Sequence, residues 1–496
     1  MRLGRYFRKS YKKLAAACMV VALTGTCFVG CQEEAENEAS ILDPENPVSI
    51  TVWHYYNGAQ QNAFDALVNE FNATVGKEEG IYVQGVSQGT VTDLETAVTN
   101  SMAGKVGSDE MPNIFSSYAD TAYEMEQEGV LANLSDYLTD DELDLYVDSY
   151  IDEGRIAEDD SLRIFPVAKS TEVMMINQTD WDKFAAENDV SLDQLKTIEG
   201  VVAVAEQYYQ WTDAKTPEIA NDGKAFYGRD SMANYFCIGM RQLGKEIFQV
   251  NNGTVTLNTD EELIRRLWDC YYVPMVKGYF AAYGSFRSDD VKTGDIIAYT
   301  GSTTSAMYFP DEVETEDERY SIDYTVMSAP IFEGGEDYAV QQGAGMVVTK
   351  TDEQHEYASV EFLKWFTQTE NSITFCGDSG YLPVLKEAND TEVLDKVIKE
   401  QNVEVSDKSY ACLRQAYSDM EHVTLYTNKS FKNGSSARKV LEYNLSDKAA
   451  ADREEVVKKL EQGMSLEEAT EPYLTDEAFT QWYQDFCQAL ETAATQ

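Results

Sequence analysis

Residues 48–72 read VSITVWHYYNGAQQNAFDALVNEFN, and this stretch sets the fold class. Its first six residues form a short β-branched and apolar run, the pattern of a strand. HYYNG (54–58) follows as an aromatic loop. Phe64, Leu67, Val68, Phe71 and Val75 then recur at helical spacing and give one apolar stripe. The unit repeats downstream. IYVQGV (81–86) is a strand, TDLETAVTNSMAG (92–104) a helix, NIFSSY (113–118) a strand and TAYEMEQEGVL (121–131) a helix. Strands alternating with helices predict βαβ units and a mostly parallel sheet covered on both faces.

The character changes at residues 164–177 (IFPVAKSTEVMMIN), where a Pro-containing extended segment runs into a second apolar run. Helical patterns dominate to about residue 285. DIIAYTGSTTSAMY (295–308) is a strand, a small-residue turn and another apolar stretch. YTVMSAPIF (324–332) and GMVVTK (345–350) are strand-like, and Ala358, Phe362, Trp365 and Phe366 mark an amphipathic helix. The last hundred residues are helical and polar.

The N-terminus carries Arg2, Arg5, Arg8, Lys9, Lys12 and Lys13 ahead of an apolar stretch, residues 14–30, with no acid in the first thirty positions. That is the layout of a secretory leader. Phe28-Val29-Gly30-Cys31 is similar to a lipobox, with Phe where Leu is usual, and it implies diacylglyceryl transfer to Cys31. Residues 32–47 (QEEAENEASILDPENP) are acidic and free of aromatics, the composition of a flexible spacer.

The 496 residues carry a formal charge of −48. Without the six basic leader residues, 33 basic side chains face 87 acidic ones, a balance near −54. Such a surface repels nucleic acid and anionic lipid and opposes self-association, so a monomer is expected. Of eight cysteines, Cys18 and Cys27 fall in the leader and Cys31 is the lipidation candidate. Cys237, Cys270, Cys376, Cys412 and Cys487 remain, widely spaced and without a CxxC, which argues against a disulfide scaffold or a zinc site. Three scattered histidines (His54, His355, His422) do not make a metal receptor.

Four stretches resemble the extracellular solute-binding proteins of ABC importers, in the family that contains the maltose and other oligosaccharide receptors. They are SITVWHYYNGAQQNAFDALVNEFN (49–72), MPNIFSSYADTAYEMEQEGVLANLSDYL (111–138), FPVAKSTEVMMINQTDW (165–181) and GAGMVVTKTDEQHEYASVEFLKWFTQTENSITFCGDSGYLPV (343–384). The chain departs from that family at Ile176-Asn177-Gln178, where Tyr-Asn-Lys is common, and at Gly301-Ser302-Thr303, where Gly-Pro-Trp is common. The resemblance implies an α/β, two-lobe periplasmic-binding-protein-like fold of the class II type. Each lobe would be a mostly parallel sheet flanked by helices, with hinge strands between the lobes and a helical C-terminal region. The expected division is a leader (1–30), an acidic tether (31–47), one lobe from 48–168 with 343–378, and another from 169–342 with 379–496. It also implies no cofactor, no catalytic residue, and permease transmembrane subunits as partners.

In open parallel sheets, ligands bind beyond the carboxyl ends of the strands. The first candidates are therefore His54, Tyr55, Tyr56 and Asn57 after the first strand, and Ser87 and Gln88 after the second. Tyr118 and Asp120 follow the third. Aromatic faces stack on sugar C–H faces, while hydroxyl, amide and carboxylate groups bond sugar hydroxyls. About half of an alternating run faces the cleft, and the rest packs beneath the loop. Asp120 is taken first as a site residue, with a cap for the helix starting near Thr121 as the alternative. Lys169, Ser170 and Glu172 stand at the crossing as further cleft-facing candidates, with solvated hinge charges as the alternative for Lys169 and Glu172. Arg229, Asp230, Ser302, Thr303 and Tyr381 complete the set.

Other functions stay open at this level. A surface glycoside hydrolase would need paired carboxylates, which 87 acids supply without meaning, and HExxH and GxxxxGK[ST] are absent. Tyr208-Tyr209 and Tyr271-Tyr272 are similar to the tyrosine pairs of ferric receptors, but both lie in helical apolar patterns that read as core. A sensor that presents ligand to a membrane kinase is a further alternative. Among solutes, carbohydrate leads because the chain holds 31 tyrosines and an aromatic first loop, with a polyol phosphate or a peptide behind it.

Overall fold

The strand Val48–His54 lies within a five-stranded sheet whose order is Ile81–Ser87, Val48–His54, Ile114–Ser117, Gly345–Val348, Ile164–Phe165. The computed structural model describes residues 41–495 apart from Asn252, Glu316 and Asp317. The leader, Cys31 and most of the tether fall outside the described residues.

Val48–His54 pairs in parallel with Ile81–Ser87, from Val48 opposite Ile81 to His54 opposite Ser87, and in parallel with Ile114–Ser117. Its apolar residues Ile50 and Val52 are fully buried. The helix Gly58–Ala73 buries Phe64, Leu67, Val68 and Phe71, the stripe legible in the sequence. Phe71 meets Phe362 (5.2 Å between centroids) and Trp365 (5.1 Å) of the helix Glu353–Phe366. The next helix, Val91–Met102, starts at a reciprocal Thr90/Asp93 cap and buries Leu94 and Val98.

A second sheet has the order Tyr324–Ser328, Glu172–Asn177, Ala298–Ser302, Tyr227–Arg229. All six residues of Glu172–Asn177 are buried. Helices Ile198–Asp213, Met232–Gln242 and Glu261–Lys277 surround it, and the C-terminal helices Gly434–Glu461 and Asp476–Thr495 join the same core. Tyr208, Tyr209, Tyr271 and Tyr272 are buried in that core. Cys237, Cys270, Cys376 and Cys412 are free thiols and buried; Cys487 is free and partly buried.

Both sheets are mixed, where the sequence predicts mostly parallel ones. Gly345–Val348 runs antiparallel to both of its neighbours, and so does Glu172–Asn177. In the second sheet only Tyr227–Arg229 and Ala298–Ser302 pair in parallel. The cause is the route of the chain. These two strands enter their sheets directly from the other half, without a crossover helix to reset their direction. The crossing segments pair with each other: Ser170 N–H donates to Gln342 O (2.9 Å) and Gln342 N–H to Ser170 O (3.0 Å). Gly343 lies at φ +104°, beside the backbone of Ala168 and Lys169, a conformation and a clearance that exclude other residues. A short parallel ribbon, Tyr338–Val340 with Thr424–Tyr426, runs alongside.

Trp268 is the anchor of the second core. Its ring stacks on Tyr272 at 3.6 Å and lies 4.7 Å from Trp482. Truncation to alanine leaves a cavity that the surrounding helices close only in part. Trp268→Ala should therefore lower unfolding free energy by about 3–5 kcal/mol in urea titration.

Candidate ligand-binding cleft

The strand Ile114–Ser117 ends at Tyr118, and the helix Ala119–Gln127 begins immediately after it. This strand-to-helix turn opens onto a cavity of about 490 Å³. From the first sheet's side the cavity is lined by Glu95, Tyr118, Asp120 and Glu153, and from the crossing by Ser170, Gln341, Gln342 and Tyr381, next to Leu382, which pairs with Lys169. From the second it is lined by Asn234, Ser302 and Thr304. The helix Gly434–Glu461 adds Ser435, Arg438, Lys439, Glu442 and Tyr443, which share one helical face. A neighbouring chamber of about 540 Å³ shares six lining residues with it, among them Glu153, Gln341 and Tyr426. The two spaces form one trough.

Five of the sequence-derived candidates line the cavity: Tyr118, Asp120, Ser170, Ser302 and Tyr381. Tyr118 is 40 % exposed. Tyr55 stands behind the lining, its ring parallel to Tyr118 at 6.4 Å. Tyr381 stacks on Phe375 at 6.1 Å. Ser302 Oγ accepts the N–H of Thr304 (3.2 Å), which holds the turn Thr303–Tyr308 at the end of the strand Ala298–Ser302.

The other candidates lie elsewhere. His54 is fully buried; its Nδ1 accepts the Tyr56 N–H (3.2 Å) and its ring packs on Tyr56 and Phe64. Tyr56 is buried against Phe375 at 5.1 Å. The loop thus turns two of its aromatic groups into the core, where apolar contact outweighs exposure. Asn57 is exposed at the start of the helix Gly58–Ala73. Ser87 Oγ donates to Tyr56 O (3.0 Å), and Gln88 N–H donates to His54 O (2.8 Å), so both brace the loop.

Lys169 is 2 % exposed, and its Nζ donates to Glu153 (2.7 Å) and Gly343 O (2.8 Å). Glu172 and Arg229 pair with each other at 2.7 Å, both buried, outside the cavity lining. The reading of Lys169 and Glu172 as solvated charges fails, because a charge inside protein needs a partner and each has one. Asp230 accepts the Arg287 N–H (2.9 Å), and burial pushes its carboxyl up to about 6. Thr303 is fully buried and donates its N–H to Thr171 O (2.9 Å).

Asp120 makes one contact between the two sides. Its carboxylate lies against Gly434, where the helix Gly434–Glu461 begins without a side-chain cap of its own. Burial raises the carboxyl to about 6, opposed by the nearby Arg438 guanidinium. Arg438 donates to Asn234 (3.2 Å) and Asn428 (3.3 Å). The candidates drawn from the sequence omit Asn234 and the helix face of 435, 438, 439, 442 and 443. The polar i, i+3, i+4 spacing of that face was its one local signal. Among the described residues, no group of three or more His, Cys, Asp or Glu side chains could hold a metal ion.

The family pattern of bacterial extracellular solute-binding proteins matches residues 66–403. The chain belongs to that family, and its role is to bind a solute. The cyclic α-maltosyl-1,6-maltose binding protein of Arthrobacter globiformis superposes with a TM-score of 0.63 at 17% identity, over 90% of this chain and 99% of that one. UgpB of Mycobacterium tuberculosis, in complex with glycerophosphocholine, gives 0.63 at 16%, over 90% and 99%. The substrate-binding protein Lmo0181 of Listeria monocytogenes, in complex with cycloalternan, gives 0.61 at 15%, over 90% and 100%. These likenesses establish the two-lobe periplasmic-binding-protein-like fold. No curated protein shows significant sequence similarity to the chain. No helix among the described residues is long and apolar enough to cross a membrane.

Burial lowers the His54 imidazole from 6.5 to about 4. The folded protein therefore holds His54 neutral while the unfolded chain takes up its proton below 6.5. The stability that follows is fully present above pH 6.5 and is lost as pH falls towards 4. His54→Gln should flatten the dependence of the urea midpoint on pH between 4 and 6.5, and an unchanged slope would place the acid sensitivity elsewhere.

Proposed function

We propose that the protein captures a carbohydrate in this trough and delivers it to the membrane permease of an ABC importer. One observation carries the reading. Tyr118 and Tyr443 are 40 % and 58 % exposed and line the cavity from its two sides. Large rings left in water at a concave polar site await a partner with apolar faces and many hydroxyls, which is the chemistry of a sugar. The trough's two chambers suit an oligosaccharide, and the neighbours that bind cyclic maltosyl-maltose and cycloalternan agree with that choice. The lobes are 48–168 with 343–378 and 169–342 with 379–496. Ligand bridges both only when they close, so it shifts the population to the closed form that a permease reads. The protein acts as a monomer, and no bond of the solute is broken.

A second reading has its own support. Arg438 and Lys439 line the cavity without an ion pair among the described residues, near the N-terminal end of a 28-residue helix. That corner favours an anionic group such as a phosphodiester, and one neighbour holds glycerophosphocholine.

A thermal-shift screen over oligosaccharides, glycerophosphodiesters and peptides separates the two, because a ligand that binds only the native state raises apparent stability. An oligosaccharide should give the largest shift, and Tyr118→Ala and Tyr443→Ala should each weaken it about tenfold by calorimetry. A shift from phosphodiesters alone would replace the sugar reading.

We further propose that a lipid on Cys31 holds the protein on the outer face of the membrane. Two acyl chains provide the two signals that stable anchoring needs. Cys31→Ser should move the protein from the membrane fraction to the medium. Retention of the variant at the membrane would end the lipoprotein assignment.

A further inference from the structure

A second cavity of about 390 Å³ lies in the second lobe beside the crossing. Its walls are mostly apolar and include Ile198, Ile238, Met327, Ile331, Val340 and Val423. The ribbon of Tyr338–Val340 and Thr424–Tyr426 borders both spaces. Tyr338 and Ala339 line the second cavity, Tyr426 lines the trough, and Val340 lines both.

A hydrogen-bonded chain also joins the two. Glu172 and Arg229 line the second cavity as a buried pair, and Glu172 accepts from Asn234 Nδ2 (2.9 Å). The same amide donates to Gln342 Oε1 (2.8 Å), and Asn234 Oδ1 accepts from Arg438 (3.2 Å). Asn234, Gln342 and Arg438 line the trough. The side chain of Asn234 is thereby used at its donor and its acceptor, and it ties the crossing segment to the second sheet.

The charged lining of the second cavity sums to one negative, Glu172, Asp337 and Asp419 against Lys196 and Arg229. Glu172 and Arg229 cancel each other, and Lys196 pairs with Asp193 at 2.7 Å. Asp337 and Asp419 line the cavity with no ion pair among the described residues. Both are bonded to the segment that follows the helix Asp407–Met420, since Val423 N–H donates to Asp419 O (2.9 Å) and Thr424 N–H to Asp337 O (2.9 Å). Ser328 Oγ (2.6 Å) and Gln415 Nε2 (2.9 Å) fix the Asp419 carboxylate. Burial raises its pKa, opposed by those two hydrogen bonds and by the nearby His422. An apolar space of this volume with a few placed polar groups is the usual form of a small-molecule site.

We propose that this cavity is a second ligand site, for a small organic cation with an apolar body, and that its occupancy bears on lobe closure through the ribbon and the Asn234 chain. The assignment is independent of what the trough binds. Benzylammonium, benzyl alcohol and benzoate are the probes, tested on the protein by thermal shift and calorimetry. Benzylammonium should raise the melting temperature saturably, benzyl alcohol less, and benzoate not at all. Asp419→Asn should weaken benzylammonium at least fivefold. Ala329→Trp, a large side chain at a lining position that carries no charge, should abolish binding. Saturation should change the radius of gyration in X-ray scattering. No saturable binding, an equal response to benzoate or benzyl alcohol, or indifference to both substitutions would overturn the site. Binding with an unchanged radius would overturn its action on closure.

Discussion

The chain has to pass between two sheets without leaving backbone groups or charges unpaired in the interior, and the rest of the molecule is arranged around that constraint. Ser170 and Gln342 exchange both backbone hydrogen bonds, and Lys169 N–H donates to Leu382 O (3.0 Å). The Lys169 ammonium, cut off from water, reaches Glu153 and the carbonyl of Gly343. Gln341 Nε2 donates to Ser149 O (3.0 Å) and to the same Glu153. Desolvating a lone ammonium would cost several kcal/mol, so the carboxylate and the carbonyl are needed for the crossing to exist at all. The crossing then fixes where the two lobes meet and where the trough runs.

Around it, the lining divides by the work each group already does. Glu153 is committed to Lys169 and Gln341, and Glu442 accepts from Ser231 Oγ (3.2 Å) and the Ala233 N–H (2.8 Å) at the start of Met232–Gln242. Tyr118, Tyr443 and Lys439 are the lining groups left most open to solvent. Asp120 stands between these classes. It lies against the uncapped start of Gly434–Glu461, and its carboxyl is raised by burial. A solute that touches both lobes therefore meets a rigid, internally bonded floor and a few open side chains at the rim.

Much of the first lobe was readable in residues 48–131, because a strand followed by a stripe of Phe64, Leu67, Val68 and Phe71 admits few arrangements. The direction of the sheets was not. Whether Gly345–Val348 runs with or against its neighbours depends on the side from which the chain returns, and local pattern carries no trace of that. The site was legible only in outline. Alternation predicts that about half of His54-Tyr55-Tyr56-Asn57 packs beneath the loop, and His54 and Tyr56 do so on Phe64 and Phe375, but it carried no sign that Tyr55 and Asn57 would also stay out of the lining. Glu172 and Arg229, 57 positions apart, gave no sign that they would neutralise each other. The cavity-facing helix Gly434–Glu461 lies beyond the family match at 66–403 and within a stretch that reads as plain polar helix.

The sequence by itself determined the alternating α/β class, the family, the acidic surface and the strand ends at Tyr118 and Ser302 that open on the trough. The family rests on the resemblance of four stretches, and the other properties follow from composition and from short-range period, which neighbouring residues encode among themselves. The tertiary structure decided which side chains the trough presents, which charges are spent on one another, and where a second cavity remains. Each of these depends on the distance between atoms brought together by the crossing, and that distance is a property of the folded chain alone.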